Sequence, residues 1–272
     1  MANTNGKSRK VDENKLEWGE LRPAWITSLT DSACKEIIST IVDFFVVENP
    51  CKGVSTRGVA LSEYGWLKDN PPKGGYLERR LLESAGFVPD QTFFTGLRRE
   101  DMREVFSKSG MSKSFAYDFA SNRAAMLVSG NTVMCFLKTI RNSLAHCRFE
   151  AMDKNGCIYF VLENGVANGD RFEVKARIVI KAKTLLQWIE IIKTEADKEI
   201  EEEHAKKRAE LELMNARCRA VLDLASRGLV EKEDDLIDVK GMEKRDVSKV
   251  ISHLKDQKLI EYSSKERMWR TL

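Results

Sequence analysis

Apolar positions recur along this chain with two different periods, and the change from one to the other divides it. Helical spacing comes first. Ile37, Ile38, Ile41, Phe44 and Phe45 mark one apolar face of a helix that Thr30 or Asp31 would cap and that Asn49-Pro50 stops after about Val47. Residues 51–96 are harder to assign. Pro71-Pro72 and Gly74-Gly75 punctuate a loop there, and Tyr76–Ser84 reads as a short helix ended by Gly86. Arg98–Lys108 and Ser112–Ser129 read as helices with Gly110 and Gly130 as stops. The most regular stretch is Thr132–His146. Val133, Phe136, Leu137, Ile140 and Leu144 fall on one stripe there, which predicts a helix packed into a core. Its opposite side carries a row of small polar groups, Cys135, Thr139, Asn142 and His146, with Arg141 to one side of both rows.

Beyond His146 the period changes to that of strands. Arg148–Met152 and Cys157–Leu162 flank a Lys154-Asn155-Gly156 turn, a hairpin signal. A loop over Asn164–Asp170 leads to Phe172, Val174, Ala176, Ile178 and Ile180, whose alternation with polar residues predicts a strand with one buried face. Thr184 begins a helix through Leu185, Leu186, Ile189 and Ile192. The charged stretch Glu195–Glu212 then reads as a solvated connecting helix and marks a domain boundary.

Past that boundary, Leu211, Met214, Cys218, Val221, Leu222 and Ala225 make a new amphipathic helix closed by Gly228. The remainder resembles a winged helix-turn-helix. Glu233–Val239 is its second helix and Lys240-Gly241-Met242 the turn. Glu243–Gln257 is its third helix, with Val247, Val250, Ile251 and Leu254 inward, and Leu259–Leu272 is the hairpin wing. The expected division is a disordered tail over 1–25, a first domain over 26–194, the charged connector over 195–212 and a second domain over 213–272.

Composition narrows the function classes. The chain has 272 residues, 42% of them hydrophobic and 32% charged, the balance of a soluble globular protein with room for two domains. A net charge of +3 creates no strong field, so any nucleic-acid contact must come from a local patch. No run approaches the length of a membrane span, and the polar start has no apolar core of a signal peptide. The six cysteines form no C-x-x-C pair, which favours a reduced, cytoplasmic chain. Metal binding is not expected, because His146, His204 and His253 are scattered. The pairs Arg79-Arg80 and Arg98-Arg99 read as solvated helix faces before they read as an RNA groove.

The chemistry lies in Arg141-Asn142-Ser143-Leu144-Ala145-His146. Processing a phosphodiester needs a group that moves a proton near pH 7 and a cation that stabilises charge on the phosphorus oxygens. Histidine, with an unperturbed pKa of about 6.5, suits the first task. Arginine offers a rigid fork of donors that cannot lose its proton, which suits the second. Asn142, one turn before His146, is placed to orient the imidazole or hold the phosphate. The alternative is an ordinary helix terminus, in which Arg141 and His146 serve the last carbonyls and the macrodipole. Five residues set Arg141 and His146 about 140° apart on a regular helix. Either the helix ends before His146, or a second subunit completes the site.

These six residues resemble the R-polar-x-x-x-H motif of HEPN domains, helical domains many of which are metal-independent ribonucleases in toxin–antitoxin, abortive-infection and other RNA-degrading systems. The resemblance spans about residues 30–200 and is specific at the motif. It implies catalytic roles for Arg141, Asn142 and His146, an RNA substrate, no cofactor, and a homodimer in which two motifs face each other across a cleft. The row of small polar residues would allow close approach there. The fold class this implies is mainly α, a HEPN-like helical domain with a β-hairpin insert followed by the winged helix-turn-helix. In the latter, Lys244, Arg245, Ser248 and Lys249 on the third helix and Lys265 and Arg267 on the wing are the candidate nucleic-acid contacts. Residues 216–272 hold 13 basic and 11 acidic side chains, so a protein partner is an equal candidate for that domain. The competing function is a non-catalytic regulator whose winged helix binds DNA and whose first domain dimerises or senses a ligand.

Overall fold

The computed structural model describes residues 15–19, 32–52, 58–113 and 120–272, with the side chains of 32–34 outside that description. The expected cap at Thr30 or Asp31, residues 1–14 and 20–25 of the expected tail and residues 114–119 of the expected helix Ser112–Ser129 lie outside the described residues. The chain divides into two compact units, Met1–Glu199 and Ile200–Leu272.

The first unit is an α/β structure, and this overturns the expectation of a mainly α fold with a β-hairpin insert. Its elements run β1 (Trp18–Gly19), α1 (Ser32–Val42), α2 (Tyr76–Ala85), β2 (Phe93–Gly96), α3 (Met102–Lys108), β3 (Arg123–Leu127), α4 (Thr132–Ala145), β4 (Phe149–Lys154), β5 (Cys157–Asn168), β6 (Arg171–Lys181) and α5 (Ala182–Thr194). Wide π-type turns over Asp43–Glu48 extend α1. Six strands form one mixed sheet in the order β2-β3-β6-β5-β4, with β1 paired to the start of β6. β2 and β3 run parallel and the other pairs antiparallel.

The helical expectation for Ser112–Ser129 fails at β3, whereas β2 lies in the stretch 51–96 that was hard to assign, and the failure has a physical reason. Ala124 and Met126 pack into the core on one face of the sheet, while Ala125 packs into the core on the other. A strand covered on both faces reads as an unbroken apolar run, which periodicity cannot separate from a buried helix. Alanine and methionine are also good helix formers, which tips the reading the wrong way.

Helices α4 and α5 bring Phe136 and Trp188 into the larger core, where their rings meet edge to face at 5.3 Å and Phe87 stacks on Phe136 at 5.4 Å. The second face is covered by α3 through Met102, Val105 and Phe106. Asn155 and Gly156 both take positive φ (55° and 76°), the two-residue turn that joins β4 to β5 with the right twist.

Two further corrections concern β5 and β6. The expected loop Asn164–Asp170 is mostly strand, since β5 continues to Asn168 and turns only at Gly169-Asp170. β6 does not have one buried face either. Phe172 and Val174 face the α3 side, whereas Ala176, Ile178 and Ile180 face the α4 side. Asn164 pairs with Ala176 and Gly165 with Val174, which leaves Lys175 as the extra residue of a β-bulge.

α6 (Ala196–Ser226), most of which belongs to the second unit, is one continuous helix through the charged stretch and the amphipathic stretch that follows it, where a new helix was expected. Glu233–Leu236 is a short 3-10 turn and not the expected second helix to Val239, because Ile237 is extended and Asp238 takes φ 70°. α7 (Lys244–Asp256) buries Val247, Val250, Ile251 and Leu254. β7 (Ile260–Ser263) and β8 (Met268–Thr271) form the closing hairpin, with Trp269 in the same core.

Candidate functional site

α4 is fixed at both ends. Asn131 caps its start, its side-chain oxygen accepting the Met134 N–H at 2.8 Å. At the other end the chain turns through Cys147 (φ 53°), and the Arg148 N–H bonds back to the Ser143 carbonyl at 2.7 Å. Ser143 Oγ donates to the Glu163 carbonyl at 3.0 Å. Arg148 also pairs with the fully buried Glu163 carboxylate and lies 3.5 Å from the centre of the Phe172 ring. Arg177 meets the other oxygen of Glu163 at 3.0 Å and reaches Glu17 at 3.0 Å, which ties the segment before β1 to the same network. The end of α4 therefore stands on the sheet at a fixed height and angle.

The motif begins one turn earlier. Arg141 is half-buried, and its Nη1 donates to Asn142 Oδ1 at 2.8 Å. Its Nε is sealed from solvent with no hydrogen-bond partner, and among the described residues no carboxylate pairs with it. Cys51 lies close by. Burial pushes its thiol up to about 12, against the opposing positive charges of Arg141 and Lys138. His146 is the C-cap residue and its side chain is exposed, with no hydrogen bond or ion pair to any described residue.

Neither Arg141 nor His146 has its side chain on a carbonyl of the last turn. That weakens the view of them as simple helix-terminus residues. The His146 N–H still closes a helical bond on the Asn142 carbonyl at 3.0 Å, although the assigned helix stops at Ala145. The imidazole therefore leaves the helix about 140° from Arg141, as on regular geometry. On that geometry the two side chains of one copy point in different directions.

The row of small polar residues has two fates. Thr139 is buried, with Asn164 Nδ2 3.5 Å from its Oγ1, so this part of the row is unavailable for close approach of another copy. Cys135 and Thr139 instead line a cavity of about 470 Å³ beside the start of α4, with Lys138, Asn164 and Lys175 among its other walls. Sequence reasoning passed over Lys138 and Lys175. Each lies in an amphipathic pattern where a lysine reads as solvent-facing.

The arginine pairs are structural. Arg80 forms a two-pronged pair with Glu195 (2.9 and 3.2 Å), Arg99 pairs with the buried Glu173, and Arg98 bonds Asp101. In the second unit, Lys244, Arg245, Ser248 and Lys249 are exposed on α7, and Lys265 and Arg267 are exposed in the turn of the hairpin. Lys244 pairs with Asp234 at 3.6 Å and Ser248 bonds the Lys244 carbonyl, so two of the six are engaged within the unit. His204 and His253 are exposed.

Among the described residues no three or more His, Cys, Asp or Glu side chains group as a metal-binding set, and no helix is long and apolar enough to cross a membrane. Comparison with family models, curated proteins and solved structures finds no match to this chain.

Proposed function

We propose that the chain is an endoribonuclease that cuts RNA through the substrate's own 2′-OH, with no metal in the chemical step. One observation carries this reading. Arg141 keeps a half-buried guanidinium that no described carboxylate neutralises, five residues before an exposed and uncommitted imidazole. Buried cations are ordinarily paired. A guanidinium held by a neutral amide alone retains its charge and its donors for an anion from outside, and a phosphodiester fits that fork.

In the proposed reaction the 2′-oxygen attacks the adjacent phosphorus, the 5′-oxygen leaves, and a 2′,3′-cyclic phosphate results. His146 takes the 2′-OH proton and returns it to the departing 5′-oxygen, and Arg141 stabilises the charge that grows on the phosphorus oxygens. Asn142 holds the guanidinium in place through its Oδ1. Since Arg141 and His146 diverge within one copy, the working site takes its guanidinium from one protomer and its imidazole from the other across a two-fold axis.

The similarity of the six motif residues to HEPN nucleases supports the assignment, and a toxin or phage-defence role rests on that similarity alone. The mixed sheet does not follow the helical pattern of those domains, so the reading rests on the residues and not on the fold. A cytoplasmic location accords with the unpaired cysteines Cys51, Cys135, Cys147, Cys157 and Cys218. The direct test is incubation of the purified chain with single-stranded RNA in EDTA. The expected products end in 2′,3′-cyclic phosphate, and His146→Ala is expected to lose a hundredfold or more, roughly the low end of general acid–base catalysis. Cleavage by His146→Ala at the wild-type rate rules the assignment out.

A second reading has its own support. Arg245, Lys249, Lys265 and Arg267 are exposed and carry no ion pair to a described residue. A DNA-binding regulator would use them on phosphates, and its signature is retention on duplex DNA that falls steeply with salt.

A further inference from the structure

The cavity beside α4 is built unlike the rest of the surface. A bulge places Lys175 there. Had β6 continued in register, Val174 and Ala176 would share a face; the extra residue sends Val174 to the α3 side, Ala176 to the α4 side, and leaves Lys175 without a cross-strand partner. Bulges recur where a side chain has to be re-aimed. This one depends on Gly165, since a Cβ there would collide with the Glu173 carbonyl oxygen and lie 2.7 Å from the Phe172 ring. Lys175 is half-buried, yet it carries no ion pair or hydrogen bond to a described residue. Lys138, from α4, is likewise unpaired and lines the same cavity.

The remaining walls divide by chemistry. Leu127, Met134 and Ala176 supply apolar surface. Ser129 and Asn70 supply uncommitted hydroxyl and amide groups. Asp69 supplies a carboxylate, which its bonds to Ser62, including the backbone N–H at 2.8 Å, hold below the usual carboxylate range. Two ammonium groups for a phosphate, an apolar wall for a base and an acceptor for a ribose hydroxyl or a base edge together match one nucleotide. The volume of about 470 Å³ lies in the range of small-molecule sites.

The cavity shares α4 with the motif, through Met134, Cys135, Lys138 and Thr139. Lys138 and Arg141 are three residues apart and so are neighbours on the helix surface. Both project positive charge onto Cys51, which places them on one side of α4.

We propose that this cavity seats one nucleotide of the RNA strand next to the phosphate being cut, held through Lys175 and Lys138. The proposal rests on the ribonuclease reading only for the source of the nucleotide.

The test measures binding by the full chain of two probes, uridine 5′-monophosphate and a 2′-O-methyl oligoribonucleotide, which lacks the attacking hydroxyl and so reports affinity without turnover. Lys175→Ala and Lys138→Ala are each expected to weaken both probes about tenfold or more, the scale of one charge-assisted hydrogen bond. Lys175→Arg, which keeps the charge, is expected to stay near wild type, and all three variants to melt with the parent protein. His146→Ala is expected to bind both probes as wild type does while losing cleavage. Unchanged affinity for both probes in Lys175→Ala and in Lys138→Ala overturns the proposal, whatever the protein does to RNA. Lysine-dependent binding of the mononucleotide by a wild-type protein that cuts no RNA would support the cavity, reassign it to free nucleotides and sink the ribonuclease reading instead.

Discussion

At Cys147 the backbone takes φ 53°, a conformation that costs a side-chain-bearing residue about 1–2 kcal/mol and glycine nearly nothing. The thiol is exposed, so it returns little in packing. Cys147→Gly is therefore expected to raise the unfolding free energy by about 1 kcal/mol in urea denaturation; a lower value would mean that the turn after the motif is held by something other than backbone geometry. The same scale shows how much of the site could be read in advance. The spacing of Arg141, Asn142 and His146, and their place at a helix end, were plain from the residue types. That Arg141 has no carboxylate partner among the described residues was not, because pairing depends on residues far away in the chain. Glu163, the anchor of this end of α4, is in the same position. In sequence it is one polar residue between an expected strand and an expected loop, and only the fold sets it between Arg148 and Arg177.

Among the elements, the helices were legible where one face is wet. α4 and α7 bury the very positions their spacing marked, Phe136 and Ile140 in one and Val250 and Leu254 in the other. The strands were legible only at the β4–β5 hairpin and in β6, where turn residues or alternation stood out. β2 and β3 escaped because both their faces are covered. The bulge in β6 escaped because an extra residue leaves the alternation of residue types intact while swapping the faces they meet. Gly165 was its one visible trace. Gly165→Ala is expected to destabilise the protein by about 1–3 kcal/mol, the usual cost of forcing extra volume into a packed site, and to displace Lys175. Wild-type stability in that variant would show that the bulge has room to spare.

For the molecule as a whole, one contribution to acid stability lies at a helix junction. Glu195 sits between α5 and α6, and its hydrogen bonds with Arg80, helped by Lys198 and Tyr76 against the opposing effect of burial, hold its carboxyl at about 2 against an ordinary 4.5. A depressed carboxylate stabilises the folded state fully above the unfolded value and loses that effect as pH falls through the folded one. Between about pH 5 and pH 2.5, wild type should thus lose more unfolding free energy than Glu195→Gln. Parallel loss in the two proteins would remove Glu195 from the account.

In the proposed dimer one copy supplies the guanidinium and another the imidazole. Arg141→Ala and His146→Ala, each inactive alone, test it most directly when mixed in equal amounts and allowed to exchange subunits, with RNA cleavage as the readout. Half of the dimers are then mixed, and each mixed dimer has one intact site of two, so recovery to about a quarter of wild-type activity is expected. A mixture as inactive as its components would contradict it.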